Sequence, residues 1–433
     1  MISRFHVQNF RSILDLEVDL SYAEGKAPNG WADGEVLPFV APTKRAEDRM
    51  VPVLAFYGAN ASGKTNVIRA LHTLQKIVRY GIEGRYNPNR LNPKFAATRF
   101  EIEFRTEGDR FDYCVTYEEQ SIRNERLRVF QEEDWRVVFE VGGETFDVAA
   151  LATEAYSVER LRDFYRVECA RADGSQTHTW FDCIGRKYEA LSSVVQTAYD
   201  ACQNGFSVYL SNEIDFVQSL ERLSGEGLVD AKARVARFLK KFDLSIESIA
   251  VESREISRDE LVRLVGEQVR VRGEVNRRDG KYFLETIDFG HKDVNAGIVP
   301  IAYASEESEG TRLLAGVLAT CLHALDCGTT VCFDELDRSL HPLILIELVK
   351  LFKLKKYNRK GAQLIFTAHD PTLMEDSLMR LGEIGIVNNG LHSGTTLKRL
   401  TDLKKEGMDI RNVHNFRKMY MDGFFAGIPY PTM

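Results

Sequence analysis

The sequence lacks the features that mark secreted, disulfide-stabilised or membrane-spanning proteins. Its seven cysteines are scattered without a C-x-x-C pair, which fits reduced thiols better than a disulfide framework. Residues 1–7 alternate like a strand and contain no signal-peptide core. The longest apolar run, from Leu313 to Leu325, is interrupted by polar residues and is too short to span a bilayer, so it predicts a core helix. We therefore expect a cytoplasmic protein without membrane contacts.

The chain also lacks an excess of positive charge, internal repeats and low-complexity segments. Its formal net charge is −7 at pH 7, so there is no global basic surface for nucleic acid, although local basic patches are compatible with this value. No heptad pattern continues long enough to predict a coiled coil. With 44% apolar and 28% charged residues the composition is that of a globular protein, and 433 residues suffice for two or three domains or one elaborated domain.

What the sequence does contain is a strand, a glycine loop and a helix in immediate succession. Residues 53–57 form an apolar run that predicts a buried strand, and a helical pattern begins at Asn66. Between them, G-x-x-x-x-G-K-T from Gly58 to Thr65 is the pattern of a phosphate-binding loop. The glycines let backbone N–H groups point at phosphate oxygens, and the helix N-terminus adds partial positive charge. The predicted nucleotide-binding residues here are Gly58, Asn60, Ser62, Gly63, Lys64, Thr65 and Asn66.

Two more predicted strands end in side chains that suit phosphate chemistry. Residues 331–335 form an apolar run that ends in Asp334 and Glu335. Because α/β sheets bind ligands at the carboxyl ends of their strands, Asp334 is predicted to hold Mg²⁺ together with Thr65. Glu335 would then act as the base that polarises the attacking water. His369 follows the strand at 363–367 and can donate a hydrogen bond to the γ-phosphate.

Each of these patterns has a simpler explanation when taken alone. An Asp-Glu pair or a single histidine at a strand end is common in proteins without any catalytic role. Residues 305–311 precede the helical pattern of residues 312–325, and an ordinary helix N-cap would explain their small and hydroxyl side chains. The combination with Lys64 in one chain favours a nucleotide site, in which Lys64 contacts the β and γ phosphates.

Together these segments resemble the head of ABC-type ATPases in the branch that contains SMC, RecF and OLD proteins. Gly58–Thr65 resembles the Walker A motif of that family, and Val331–Glu335 resembles its Walker B motif. The resemblance implies that Asp337 belongs to the D-loop and that His369 is the switch histidine. It also implies that Arg11, in the turn that follows the first strand, lies near the phosphates.

The same resemblance implies a signature motif that acts on the nucleotide of a second subunit. The corresponding residues are Ser308, Glu309, Gly310 and Thr311. Two of them depart from the family pattern, because Glu309 stands where a second glycine is usual and Thr311 where a glutamine is usual. The implied assembly is an ATP-dependent head-to-tail dimer or a higher homo-oligomer, with ATP and Mg²⁺ as cofactors.

Three stretches are similar to a narrower group, the abortive-infection ATPases of bacterial antiphage defence of the RloA and AbiL kind. These stretches are Tyr57–Lys64, Asp334–Pro342 and Tyr420–Pro429. The resemblance covers residues 1–80 and 295–433. It implies a Mg²⁺-dependent ATPase that controls a separate effector protein, such as a TOPRIM-like nuclease, in response to a phage-derived trigger.

The expected fold is α/β, an ABC-type P-loop ATPase head with an antiparallel β subdomain and a helical insertion. Residues 1–154 are expected to form an N-terminal ATPase lobe with Walker A and the antiparallel sheet. Residues 155–290 are expected to form a helical and hairpin insertion, and residues 291–433 a C-terminal lobe with signature, Walker B and switch histidine. The insertion is a candidate surface for a partner or trigger. Alternatively, it only braces the head.

Two other functions stay open at this point. One is a RecF-like or SMC-like ATPase that acts on DNA in repair or maintenance, and the other is a scaffold that binds ATP and scarcely hydrolyses it. A separate effector is favoured because no acidic metal cluster follows His369 and no Ser/His/Asp arrangement stands out elsewhere. The candidate basic patches for DNA are Lys353, Lys355, Lys356, Arg359 and Lys360, and Arg270, Arg272, Arg277, Arg278 and Lys281.

Overall fold

The computed structural model describes most of the chain, in two compact units. The described residues are 1–22, 35–42, 45–91, 93–106, 108–153, 156–169, 175–187, 192–210, 214–224, 228–242, 245–266, 273–278, 280–375, 377–405 and 416–425. The first unit comprises Met1–Asn212, Cys327–Arg338 and Val349–Met433, and the second comprises Glu213–Asp326 and Ser339–Leu348. The predicted division at residues 154 and 290 stays a prediction. Among the described residues, no helix is long and apolar enough to cross a membrane.

The described residues contain seventeen strands and eleven α-helices. The strands are β1 Ile2–Phe10, β2 Ile13–Asp19, β3 Val53–Tyr57, β4 Thr98–Arg105, β5 Arg110–Tyr117, β6 Ile122–Gln131, β7 Asp134–Gly142, β8 Thr145–Asp147, β9 Phe206–Tyr209, β10 Ile246–Ile256, β11 Gly273–Arg278, β12 Lys281–Lys292, β13 Ile298–Ala302, β14 Thr330–Phe333, β15 Gln363–Thr367, β16 Ile384–Gly390 and β17 Gly394–Arg399. The α-helices are α1 Lys64–Tyr80, α2 Val158–Cys169, α3 Trp180–Lys187, α4 Ser193–Asn204, α5 Phe216–Ser224, α6 Leu228–Lys241, α7 Arg258–Gly266, α8 Glu309–Cys327, α9 Pro342–Lys353, α10 Leu400–Lys405 and α11 Phe416–Met421.

One large mixed sheet organises the first unit. Its strand order is β8-β7-β6-β5-β4-β1-β2-β17-β16-β3-β15-β14-β9. The pairs from β16 to β9 are parallel, and the pairs from β8 to β2 are antiparallel. In the second unit, β10, β12 and β11 form a small antiparallel sheet, and β13 also pairs with β12. The predicted α/β fold with an antiparallel portion is confirmed.

The sequence analysis missed two parts of the large sheet. β9 lies within a region predicted to be mostly helical, yet it pairs in parallel with β14 at the edge of the sheet. A strand of four residues is too short to show a clear alternation of its own. The hairpin of β16 and β17 was also not predicted, although it inserts between β3 and β2. Both elements are strands because of their neighbours in the sheet.

The parallel part of the sheet is covered by α1, which positions the phosphate loop at its start. All five residues of β3 are buried, as expected for a strand with both faces covered. α1 buries an apolar stripe that includes Val67, Leu71 and Leu74 at helical spacing. These side chains belong to the same buried cluster as Phe56 of β3. Burial of this stripe fixes the direction in which the helix N-terminus points.

A buried ionic cluster lies in the first unit. Lys353 is wholly buried and its ammonium pairs with Glu383. The guanidinium of Arg380 pairs with the same carboxylate at 3.1 Å, and the Arg380 backbone N–H donates to it at 2.7 Å. Lys353 therefore cannot belong to an exposed basic patch, which corrects its inclusion among the candidate DNA-binding residues.

Replacing Glu383 by alanine should lower the free energy of unfolding by about 3–5 kcal/mol, because two buried cations lose their counterion. Urea or thermal denaturation measures the change. The matched control is Arg123→Ala, which breaks an exposed 2.5 Å pair with Glu118 in the same unit and should change stability far less. Equal effects of the two substitutions would contradict a special contribution of the buried cluster.

Candidate nucleotide-binding site

The phosphate loop lies against the β16–β17 hairpin, and this contact requires glycine at two positions. Gly63 has φ 103°, in the left-handed region, and a Cβ there would lie 2.1 Å from the Thr395 hydroxyl oxygen. A Cβ on Gly58 would lie 2.2 Å from the carbonyl oxygen of Val387. The G-x-x-x-x-G spacing is therefore explained by packing as well as by phosphate binding.

Lys64 is held over the loop by neutral groups. Its ammonium donates to the carbonyl oxygens of Gly58 at 2.7 Å and Ala59 at 3.0 Å. Burial lowers the pKa of Lys64, and the Asp334 carboxylate opposes that shift. The buried Ser62 hydroxyl has no hydrogen-bond partner among the described residues. A loop with a cation on carbonyls and an unpaired buried hydroxyl fits an anionic ligand.

The predicted Mg²⁺ ligands lie together. The Thr65 hydroxyl, at the start of α1, donates to Asp334 Oδ1 at 3.2 Å. The Thr367 hydroxyl, at the end of β15, donates to the same oxygen at 2.7 Å and accepts the Glu335 backbone N–H at 2.7 Å. Mg²⁺ in nucleotide sites takes one or two protein oxygens and completes its shell with phosphate oxygens and water. Thr65 and Asp334 fit that donor set.

A protein-family match covers more than half of the chain. Residues 53–164 and 207–375 match the family AAA_21, described as "AAA domain, putative AbiEii toxin, Type IV TA system". The chain belongs to this family. It therefore carries an AAA-type P-loop ATPase domain, and the predicted resemblance to abortive-infection ATPases is confirmed. No curated protein sequence matches the chain.

Two solved structures of SMC heads also match over most of the chain. One is the crystal structure of an SMC head bound to the C-winged helix domain of ScpA, with 12% identity, a TM-score of 0.37, and coverage of 94% of this chain and 99% of that one. The other is the SMC head domain from Thermotoga maritima, with 13% identity, a TM-score of 0.36, and coverage of 92% and 98%. At these TM-scores the likeness carries no argument about this chain.

The predicted catalytic pair of this AAA_21 protein lies beside Asp334. Glu335 has φ 52°, in the left-handed region that costs a residue with a Cβ some strain. Its carboxylate lies 4.0 Å from His369 Nε2, and both side chains are partly exposed. The Asp337 carboxylate accepts the backbone N–H groups of His369 at 2.6 Å and Asp370 at 2.8 Å. Asp337 thus orders the segment that carries the histidine.

The turn between β1 and β2 also lies against the phosphate loop. Asn66 Nδ2 donates to the Ser12 hydroxyl at 2.7 Å, and that hydroxyl lies 2.6 Å from the Thr395 hydroxyl. Thr395 in turn donates to the Ser62 carbonyl at 3.3 Å. Arg11 precedes Ser12, so the structure brings this predicted residue to the start of α1. Asn60 is predicted to bind nucleotide and lies exposed in the same loop.

The predicted signature residues lie in the second unit, at the start of α8. Ser308 caps the helix, because its hydroxyl accepts the Thr311 backbone N–H at 3.1 Å. Glu309 and Gly310 form the first turn. A Cβ on Gly310 would lie 2.8 Å from the carbonyl oxygen of Ser339, so this glycine has a packing reason within its own unit. The capping explanation and the signature assignment are compatible.

Three residues at or beside the site were not predicted from the sequence as site residues. Thr367 ends a predicted strand next to the one that carries Asp334, so a hydroxyl at that strand end was a usable signal. Thr395 lies on the unpredicted hairpin and gave no local signal. Tyr420, in α11, is hydrogen-bonded to the backbone of Gly58, and its ring lies 6.2 Å from that of Tyr57. Residues 426–429 of the C-terminal stretch lie outside the described residues.

Replacing Thr367 by valine should lower the turnover of ATP about 10- to 100-fold, because Asp334 and the backbone of Glu335 lose their shared partner and shift. The affinity for ATP should change little, since Lys64 and the loop are intact. Steady-state kcat and KM separate the two effects. Thr367→Ser keeps the hydroxyl and is the control, and thermal denaturation of both variants checks folding. Wild-type turnover in the valine variant would contradict the role of Thr367.

Proposed function

We propose that this chain is the ATP-binding and ATP-hydrolysing switch subunit of a bacterial antiphage, abortive-infection system. The observation that supports it most is the hydrogen-bonded set of Thr65, Asp334 and Thr367 beside the phosphate loop of Lys64, in a chain of the AAA_21 family. These residues come from three separate segments. Their convergence is what a site for nucleotide and Mg²⁺ needs.

The side chains divide the chemistry among them. Lys64 and the loop N–H groups bind the β and γ phosphates, while Thr65 and Asp334 hold Mg²⁺. Bound Mg²⁺ neutralises charge that develops on the phosphate oxygens. Glu335 orients the attacking water and accepts its proton, and His369, 4.0 Å away, donates to the γ-phosphate. Asp337 keeps the His369 backbone in place.

The proposed switch is the association of two copies. Ser308–Thr311 of one copy would contact the nucleotide bound by the other, so that ATP stabilises a head-to-tail dimer or a larger homo-oligomer and hydrolysis releases it. The dimer would control a separate effector, a nuclease such as a TOPRIM-like enzyme, after a phage-derived trigger acts in the cytoplasm. The segment 155–290 is the proposed surface for partner or trigger.

A DNA-directed ATPase of RecF or SMC type is the second candidate. Four exposed cations in the segment that follows α9 support it: Lys355, Lys356, Arg359 and Lys360. The other predicted patch supports it less, since Lys281 pairs with Glu255 at 2.9 Å and Arg277 stacks over Tyr282 at 5.7 Å. Arg270 and Arg272 lie outside the described residues, as does the side chain of Arg278. Salt-dependent DNA binding that is lost on reversing the four charges would favour this candidate.

Replacing Lys64 by alanine should abolish ATP binding, because the phosphate loop loses the cation that neutralises the phosphates. Isothermal titration with Mg²⁺ and ATP measures it. Lys76→Ala, on the same helix but three turns further on, is the matched control and should bind like wild type. Wild-type affinity in the Lys64 variant would refute a phosphate-binding loop at Gly58–Thr65.

Replacing Glu335 by glutamine should preserve ATP binding and stop turnover, since the amide has nearly the same shape and cannot accept a proton. The ATP-bound dimer should then accumulate, and light scattering with ATP present measures its mass. If the protein only binds ATP as a scaffold, wild type and the glutamine variant should have the same mass and the same slow hydrolysis. That result would exclude the proposed switch.

A further inference from the structure

Two arginines lie near each other beside the phosphate loop, since the charge of Arg69 acts on Arg11. Arg11 lies in the turn between β1 and β2, and Arg69 lies on α1. The hydrogen bond from Asn66 to Ser12, at 2.7 Å, holds this turn against the first turn of α1. Arg69 follows Asn66 by three residues, so it lies on the same face of the helix, next to the turn. Two like charges are thus brought together by a contact that does not involve them.

Neither guanidinium is neutralised within the part of the chain that the structure describes. The ion pairs there include no partner for Arg11 or Arg69. The Arg11 Nε is buried and has no hydrogen-bond partner among the described residues. Burial lowers the pKa of Arg11, and the charge of Arg69 lowers it further. The pair costs stability in the protein alone, and a bound anion would offset that cost.

The backbone at Arg11 also favours a role for its side chain. Its φ is 51°, in the left-handed region where glycine and asparagine are preferred. Arginine at such a position in a tight turn is strained. Strained residues with a Cβ concentrate at binding and catalytic sites.

We propose that Arg69, together with Arg11, binds the α-phosphate of the nucleotide held by the phosphate loop. This inference rests on the proposed function. Lys64 takes the outer phosphates at the start of α1, and Arg69 lies five residues further along, roughly 7.5 Å down the helix axis. Helical side chains lean toward the N-terminus, so the guanidinium of Arg69 reaches back toward the first turn. There it would meet the α-phosphate, which is the phosphate nearest the ribose.

A planar guanidinium suits this task. It can give two parallel N–H bonds to one phosphate, and it stays charged when partly buried. The negative charge of a bound phosphate offsets the repulsion between the two guanidiniums. This compensation lasts only while the phosphate is present. ATP and ADP share the α-phosphate, so the contact should hold before and after hydrolysis.

The test compares wild type with Arg69→Gln, Arg69→Lys and the control Lys76→Gln, which removes a cation further along the same helix. Titration with ATP and with ADP at several salt concentrations gives the affinities. Arg69→Gln should weaken both nucleotides about 10-fold and reduce the dependence of affinity on salt. Arg69→Lys should recover part of the loss, and Lys76→Gln should bind like wild type.

Thermal denaturation separates binding from a structural role. Without nucleotide, Arg69→Gln should melt at the same temperature as wild type or higher, because the repulsion with Arg11 is relieved. With ATP present, its rise in melting temperature should be smaller than that of wild type. A lower melting temperature without nucleotide, together with an unchanged rise on adding ATP, would show a structural arginine and overturn the proposal.

Other outcomes are equally decisive. A loss for ATP but not for ADP would place Arg69 at the γ-phosphate and overturn the α-phosphate assignment. Unchanged affinity for both nucleotides with weakened binding of duplex DNA would make DNA the anion and also overturn it. If Lys64→Ala binds ATP like wild type, the proposed function fails first. If Lys64→Ala loses binding and Arg69→Gln does not, only this inference fails.

Discussion

The carboxylate of Asp334 is the point at which three distant segments meet. One of its oxygens accepts two hydrogen bonds. One comes from the hydroxyl of Thr65 at the start of α1, and the other comes from the hydroxyl of Thr367 at the end of β15. Thr367 also accepts the Glu335 backbone N–H, so one hydroxyl sets the position of two carboxylates. This arrangement requires β14 and β15 to be parallel neighbours, since only then do their carboxyl ends meet at one edge.

The phosphate loop depends on a second set of contacts. It packs so closely on the β16–β17 hairpin that side chains are excluded at Gly58 and Gly63. The hydroxyls of Ser12 and Thr395 join the hairpin, the β1–β2 turn and α1. A change at any of these elements reaches the loop through packed or hydrogen-bonded atoms. That connection explains how Arg11, near the N-terminus, comes to lie beside a helix that begins at Lys64.

Much of the site was predictable because its motifs are local. Gly58–Thr65 places a loop and a helix N-terminus by sequence neighbours alone, and the apolar runs before Glu335 and His369 predict strands that end in polar residues. The missed parts are those that long-range pairing creates. β9 and the β16–β17 hairpin form because the large sheet has room for them at its edge and beside β3. Lys353 resembled a surface lysine until its pairing with Glu383 was known.

The sequence by itself determined the class of site, since a glycine loop, a lysine and a carboxylate pair carry their chemistry at fixed spacing. It also predicted the α/β fold through the alternation of apolar strands and helices. Only the tertiary structure decided which hydroxyls support Asp334, which hairpin packs on the loop, and which cations lie near each other. Hydrogen bonds act over a few ångströms in space, whereas Ser12 and Thr395 are 383 residues apart along the chain and Thr367 and Asp334 are 33 residues apart. Their partners are fixed by the order of strands in the sheet.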